Sequence, residues 1–234
     1  MELGSTKRQC LVAPPTAVQQ ALMALKGQTL YIHAAPLWQQ FCNQALCFGR
    51  GPAELRTESD SPLAVVARPK RALALRLLVW KRDVLVCTED EECFIANLDT
   101  LARMHLRVHD VLPPGSIVHA WLYSTRSGRV SLGAYDLIAC QEKFLQMSPP
   151  FARSARLHQL FELAAQRVAS EQREPPQQAF EYFWVGQLGS DAALARKPAA
   201  PVTAQTCTGA CAMLYDARCP YDVDVFVTVP EACE

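Results

Sequence analysis

The chain reads as an α+β protein in which antiparallel sheets are flanked by helices. Three stretches predict this. Residues 61–95, SPLAVVARPKRALALRLLVWKRDVLVCTEDEECFI, alternate short apolar runs with charged turns, the pattern of a β-meander. Residues 116–138 place two apolar runs around the turn STRSGR, the pattern of a β-hairpin. Residues 152–173 carry Leu157, Leu160, Phe161, Leu163, Ala164 and Val168 along one side of a long helix.

The 234 residues suffice for one large domain or two small ones. The division expected is an N-terminal helical segment, 1–50, packed on a main domain, 51–234. A hydrophobic content of 50% against 20% charged residues predicts a packed core rather than disorder. Lys+Arg and Asp+Glu are both 23, so no global charge favours nucleic acid, and any such contact needs a local patch. No apolar run reaches the length of a membrane span, and MELGSTKRQCLVAPP lacks the apolar core of a signal peptide. The ten cysteines are scattered and are read as reduced thiols of a cytoplasmic or nuclear, not secreted, protein.

In chain order, Thr16 caps a helix over 17–26 with Gly27 as its stop. TLYIH (29–33) is a short strand and 36–47 a second helix, followed by a polar loop to 62. The meander has strands at 63–67, 72–80, 84–87 and 93–96. Leu98, Leu101, Met104, Leu106 and Val108 predict one helix over 98–108, ended before the turn Pro113-Pro114-Gly115. The hairpin strands are 116–123 and 130–138. After the long helix, Pro175-Pro176 leads to a strand at 180–185. A long Ala- and Pro-rich loop covers 189–205, a short strand 212–215, and a last, alternating strand 222–229.

Several residue groups invite chemistry. Arg68, Lys70 and Arg71 form a dense basic knot between the first two meander strands. A solvated turn and a phosphate contact are both consistent with it. Asp222 and Asp224 share a strand face, which suits a divalent cation such as Mg or Mn but equally a solubilised edge strand. His105 and His109, four apart on the predicted helix, have zinc spacing without a third ligand. Cys207, Cys211 and Cys219 are too irregularly spaced for a structural zinc to be expected there.

The order of meander, helix, hairpin, long helix, strand, loop and terminal strand resembles the nucleotidyltransferase domain of mRNA capping guanylyltransferases and polynucleotide ligases, over residues 51–234. That family carries a Lys-x-Asp-Gly motif after its first strand. Here Arg68 falls on the lysine, Lys70 on the Asp and Arg71 on the Gly. The family's hairpin motif, an apolar pair followed by Asp-Gly-Glu, meets His119, Ala120 and Trp121. Tyr135-Asp136-Leu137-Ile138 keeps the returning-strand pattern, PPFARSARL keeps the opening of the next helix, and Asp222-Val223-Asp224 keeps two acids. The later Lys-x-Lys strand and the OB domain have no counterpart in these residues.

The resemblance implies a nucleotidyltransferase fold with a central nucleotide-sized groove and no OB domain. Its nucleotide-binding residues would be Arg68, Lys70, Arg71, Trp121 and Tyr135, with metal at Asp222 and Asp224. It implies a degenerate enzyme, since family catalysis needs an amine that can lose its proton and arginine cannot. The implied function is binding of a nucleotide, of an RNA 5′ end or cap, or of a capping or transcription protein. Two alternatives stand beside it: an active guanylyltransferase with Lys70 as nucleophile, and an interaction protein without a ligand.

Overall fold

In the strands of this chain successive side chains serve different layers, and that alternation sets the architecture. The computed structural model describes residues 16–26, 63–90, 92–145, 148–170, 180–183, 186–188 and 221–229. The expected strand at 29–33, the helix at 36–47, the loop at 189–205, the strand at 212–215 and Cys207, Cys211 and Cys219 lie outside these residues.

The strands are β1 (Leu63–Pro69), β2 (Leu73–Trp80), β3 (Asp83–Thr88), β4 (Cys93–Ala96), β5 (Ile117–Ser124), β6 (Val130–Cys140), β7 (Lys143–Phe144), β8 (Phe180–Tyr182), β9 (Gly186–Leu188) and β10 (Val223–Thr228). The helices are α1 (Ala17–Leu25), α2 (Leu98–Arg103), α3 (Val108–Val111) and α4 (Pro150–Ser170). The large sheet runs β4-β3-β2-β5-β6-β7, with β8 parallel on β6; the small sheet runs β10-β1-β9. The α+β class with antiparallel sheets and helices is therefore observed.

One face of the large sheet takes the helices. Leu75, Leu77, Val84, Val86, Val118, Ala120, Leu122, Leu132 and Ala134 pack with Val18, Ala21 and Leu25 of α1, Leu101 of α2 and Leu157, Leu160 and Ala164 of α4. The other face meets the small sheet through Ala72, Ala74, Trp121, Tyr123 and Tyr135 against Ala64 and Val66 of β1, together with Phe183, Tyr221 and Val229. The result is three layers: helices, large sheet, small sheet. Helix α1 starts on a capping box, Thr16 Oγ1 accepting from Gln19 N at 3.2 Å and Gln19 Oε1 from Thr16 N at 2.8 Å. No helix among the described residues is long and apolar enough to cross a membrane.

Three expectations change. The predicted meander is divided: β2, β3 and β4 form one, but β1 leaves for the small sheet and pairs with β10 and β9. The basic knot is thus the corner between two sheets, not a hairpin turn within one. The helix predicted over 98–108 is two helices. His105 has φ +57° and closes α2, its N–H bonding Ala102 O at 3.0 Å while Leu106 N bonds Leu101 O at 2.8 Å. This is a Schellman-type cap with histidine where glycine is usual. Finally, the cysteines are not all thiols, because Cys87 and Cys93, directly opposite on β3 and β4, form a disulfide. Cys140 is a buried free thiol.

Gly133 shows how tight the inter-sheet layer is. A Cβ there would lie 2.7 Å from Phe183 Cζ and 2.8 Å from Cδ2, inside a ring held by Trp121, Tyr123 and Tyr221. Gly133→Ala is expected to lower stability by about 1–3 kcal/mol through overpacking. Urea unfolding checks this, and a companion Phe183→Leu change, which clears the space, should recover part of the loss.

Candidate functional site

Cross-strand register places a row of polar residues across the face of the large sheet that looks away from the helices. Arg76 of β2 lies opposite Cys87 of β3 on one side and His119 of β5 on the other. His119 in turn lies opposite Asp136 of β6. The ladder shifts register beside His119, between His119 and Ala120, and so brings Tyr135 next to the row. Its ring lies 5.8 Å from His119 and 4.2 Å from Trp121, stacked on the latter. A charge inside the apolar run LALRLLVW was the sequence signal for Arg76, which is only 5% exposed.

Asp136 anchors the row to α4. Arg153 Nε donates to Asp136 Oδ1 at 2.8 Å, Nη2 donates to Oδ2 at 3.2 Å, and Nη1 donates to Ser148 O at 2.6 Å. The two side chains are 1% and 2% exposed. Two stretches noted separately in the sequence, YDLI and PPFARSARL, thus meet in one buried bidentate ion pair. Burial pushes the Asp136 carboxyl upward, and the Arg153 contacts pull it back. His119 is pushed down to about 3, first by burial and then by the charges of Arg76 and Arg153. The imidazole is therefore neutral between two guanidinium groups. Burial also raises Tyr135, whose hydroxyl feels Asp136 and Glu89 as well as Arg76 and Arg68.

The basic knot approaches this row from the small sheet. Arg68, at the end of β1, donates from Nη2 to Ala72 O at 3.0 Å and is close enough to Tyr135 to act on it electrostatically. Lys70 and Arg71 are exposed in the turn that follows, Arg71 with φ +59°. The corner is held by Lys70 N donating to Asp222 O at 2.7 Å. The carboxylate of Asp222 accepts from Arg126 Nε at 2.8 Å, which draws the tip of the β5–β6 hairpin to the same place. Arg126 and the backbone of Lys70 therefore meet at one exposed acid, and Arg68 and Arg71 flank Lys70 in the chain.

The sequence-derived site residues are only partly gathered. Arg68 lies within electrostatic reach of Tyr135 from the other sheet, and Lys70 and Arg71 are exposed in the turn that follows it. Trp121 and Tyr135 are 2% and 8% exposed, stacked on each other and edged by Phe183, so the expected open groove is filled here by aromatic packing. Neither ring presents a face to a base. Asp224 is exposed, Asp222 is committed to Arg126, and among the described residues no group of three ligands could hold a metal ion. His105 and His109, expected on one helix, belong to a cap and to α3; they line one pocket of about 290 Å³ with Leu98, Leu101 and Asp110, again without a ligand cluster.

The features that sequence reading missed are Arg76, its pairing with His119, Arg126 at Asp222, and the Cys87–Cys93 bond. No family model matches the chain, and no curated protein matches it.

Proposed function

We propose that this chain is a nucleotidyltransferase-like binding module that has lost the covalent step. It holds a phosphate-bearing ligand, a nucleotide or an RNA 5′ end, at the corner between its two sheets. The supporting observation is that the corner carrying Arg68, Lys70 and Arg71 is tied to Asp222, which also draws in Arg126 from the β5–β6 hairpin. Guanidinium groups bind phosphate through planar, bidentate hydrogen bonds, and their charge is permanent. The same permanence disqualifies Arg68 as a nucleophile. Lys70 stands exposed in a turn rather than on a strand face, a poor position for aligning an amine with an α-phosphate. The buried Trp121–Tyr135 stack supports the corner from below instead of sandwiching a base.

Incubation with α-labelled GTP or ATP and Mg or Mn is expected to leave the protein unlabelled. Titration with 5′-triphosphate RNA, GTP and cap analogue should raise the melting temperature. A ligand at about 100 times its Kd contributes about 2.7 kcal/mol, or about 5–10 °C for a chain of this size. Lys70→Glu/Arg71→Glu should abolish that rise without changing the melting temperature of the free protein by more than a degree or two. A covalent adduct lost in Lys70→Ala would instead identify an active transferase. No shift with any of these ligands would leave an interaction protein without a nucleotide site.

A further inference from the structure

The cysteine pair lies at the end of the same polar row, and its setting is unlike that of a purely structural bond. Cys87 is buried at 2% exposure, whereas Cys93, the first residue of β4, is exposed. Only six positions separate them in sequence, and the β3–β4 ladder already places them opposite each other. The chain entropy such a short closure removes, about 2 kcal/mol, is at the small end for disulfides. On its inner side Cys87 faces Arg76, its direct cross-strand partner, at a spacing where side chains interact.

We propose that Cys87–Cys93 is a reversible thiol–disulfide exchange site, opened at Cys93, with Arg76 stabilising the sulfur that leaves. The thiolate of a small cellular thiol such as glutathione attacks the exposed Cys93 Sγ. A new sulfur–sulfur bond forms there, the Cys87–Cys93 bond breaks, and Cys87 departs as a thiolate with the electron pair. A nearby positive charge favours that thiolate, and a better leaving thiolate leaves faster. A second thiolate then attacks the sulfur of the bound small thiol, forming the oxidised small disulfide and breaking its bond to Cys93, which departs as a thiolate and takes a proton from solvent. Two small thiols are oxidised and the protein disulfide is reduced; glutathione disulfide drives the reverse.

The bond closes the base of an acidic turn with two connections. Glu92 pairs with Lys26 after α1 at 2.6 Å, and Glu89 acts electrostatically on Tyr135, the residue that Arg68 also approaches. The turn is tied by Thr88 N donating to Glu92 O at 2.9 Å. Opening the bond therefore loosens the turn that carries the Glu92–Lys26 pair, which gives the exchange a route to α1.

The test uses the full chain in glutathione buffers of graded ratio, with alkylation and mass spectrometry of Cys87 and Cys93. The pair should open and close together, and amide exchange should rise over 88–93 while the rest of the protein stays protected. In Cys87→Ser the glutathione adduct should accumulate on Cys93, and Cys93→Ser should acquire none on Cys87. Arg76→Gln should slow opening severalfold, with Arg76→Lys close to the parent. A pair that stays closed in millimolar reduced glutathione would overturn the proposal, as would global unfolding on reduction or an adduct on Cys87. Opening as fast in Arg76→Gln would remove Arg76 from it. Because the cysteine variants report independently, a poorly folding Arg76→Gln would not shelter the proposal.

Discussion

Arg153→Ala is expected to cost about 3–5 kcal/mol of unfolding free energy, a large fraction of what a domain of this size has. The reason is the state of Asp136 once its partner is gone. Both members of the pair are essentially without solvent, and the carboxylate is held by two guanidinium hydrogen bonds. Without them Asp136 must stay ionised in a dry setting or take up a proton. Burial already pushes its carboxyl up even with Arg153 present. The variant's Asp136 should rise further, so in the interval between its ordinary value and the new one the folded state binds more protons than the unfolded state. Stability of the variant then falls as pH rises through that interval. The difference from the parent should be largest near neutrality and shrink toward pH 4. Asp136→Leu/Arg153→Met, which removes both charges, should be more stable than Arg153→Ala, because no uncompensated ion remains. Urea unfolding of the parent and the two variants at two pH values checks all of this. A loss below about 1 kcal/mol at neutral pH would show that the pair is not the buried anchor described.

His119 should make the protein sensitive to acid over an unusually wide range. In the unfolded chain the imidazole protonates near 6.5, whereas in the fold it resists to about 3. Between these values the unfolded state binds more protons, so stability rises with pH and is lost as pH falls from 6.5 toward 3. The contribution present above 6.5 is gone below 3. The limiting slope is about 1.4 kcal/mol per pH unit. Allowing for the solvent access that the ring retains, the total is on the order of 2–4 kcal/mol. Burial is the first cause, and protonation would also add a third positive charge between Arg76 and Arg153. His119→Gln should flatten this limb. His109 is lowered too, by burial, against the pull of Asp83 and Asp110, and it remains in both proteins. The difference between parent and variant therefore isolates His119. Parallel pH curves for the two would rule His119 out as the sensor.

How much of this was legible beforehand differs element by element. The hairpin strands, the long helix, Thr16 as a cap and the last strand were readable because they rest on local chemistry: alternation, a capping hydroxyl, proline and glycine boundaries. The break after α2 was not, because the residue in the left-handed position is His105 and only glycine advertises that conformation in a sequence. Trp121 and Tyr135 were placed on the right strands but could not be known to stack on each other, since that depends on the small sheet closing over them. Asp136 and Arg153 were each visible as part of a motif, yet their pairing needs β6 and α4 to meet.

By itself the sequence determined most of the strands of the large sheet, the long helix, the apolar faces, and that the residue at Arg68 cannot be a lysine-type nucleophile. These follow from properties that each residue carries wherever it is. The tertiary structure alone decided that β1 belongs to a different sheet from β2, that the basic knot is the corner between the two sheets, and that Cys87, Arg76, His119 and Asp136 stand in one row. The alternation of a strand says which side is buried but not which distant strand lies beside it. Pairing such as Arg68 with Val225 is set by the closure of the whole core, and no local preference encodes it.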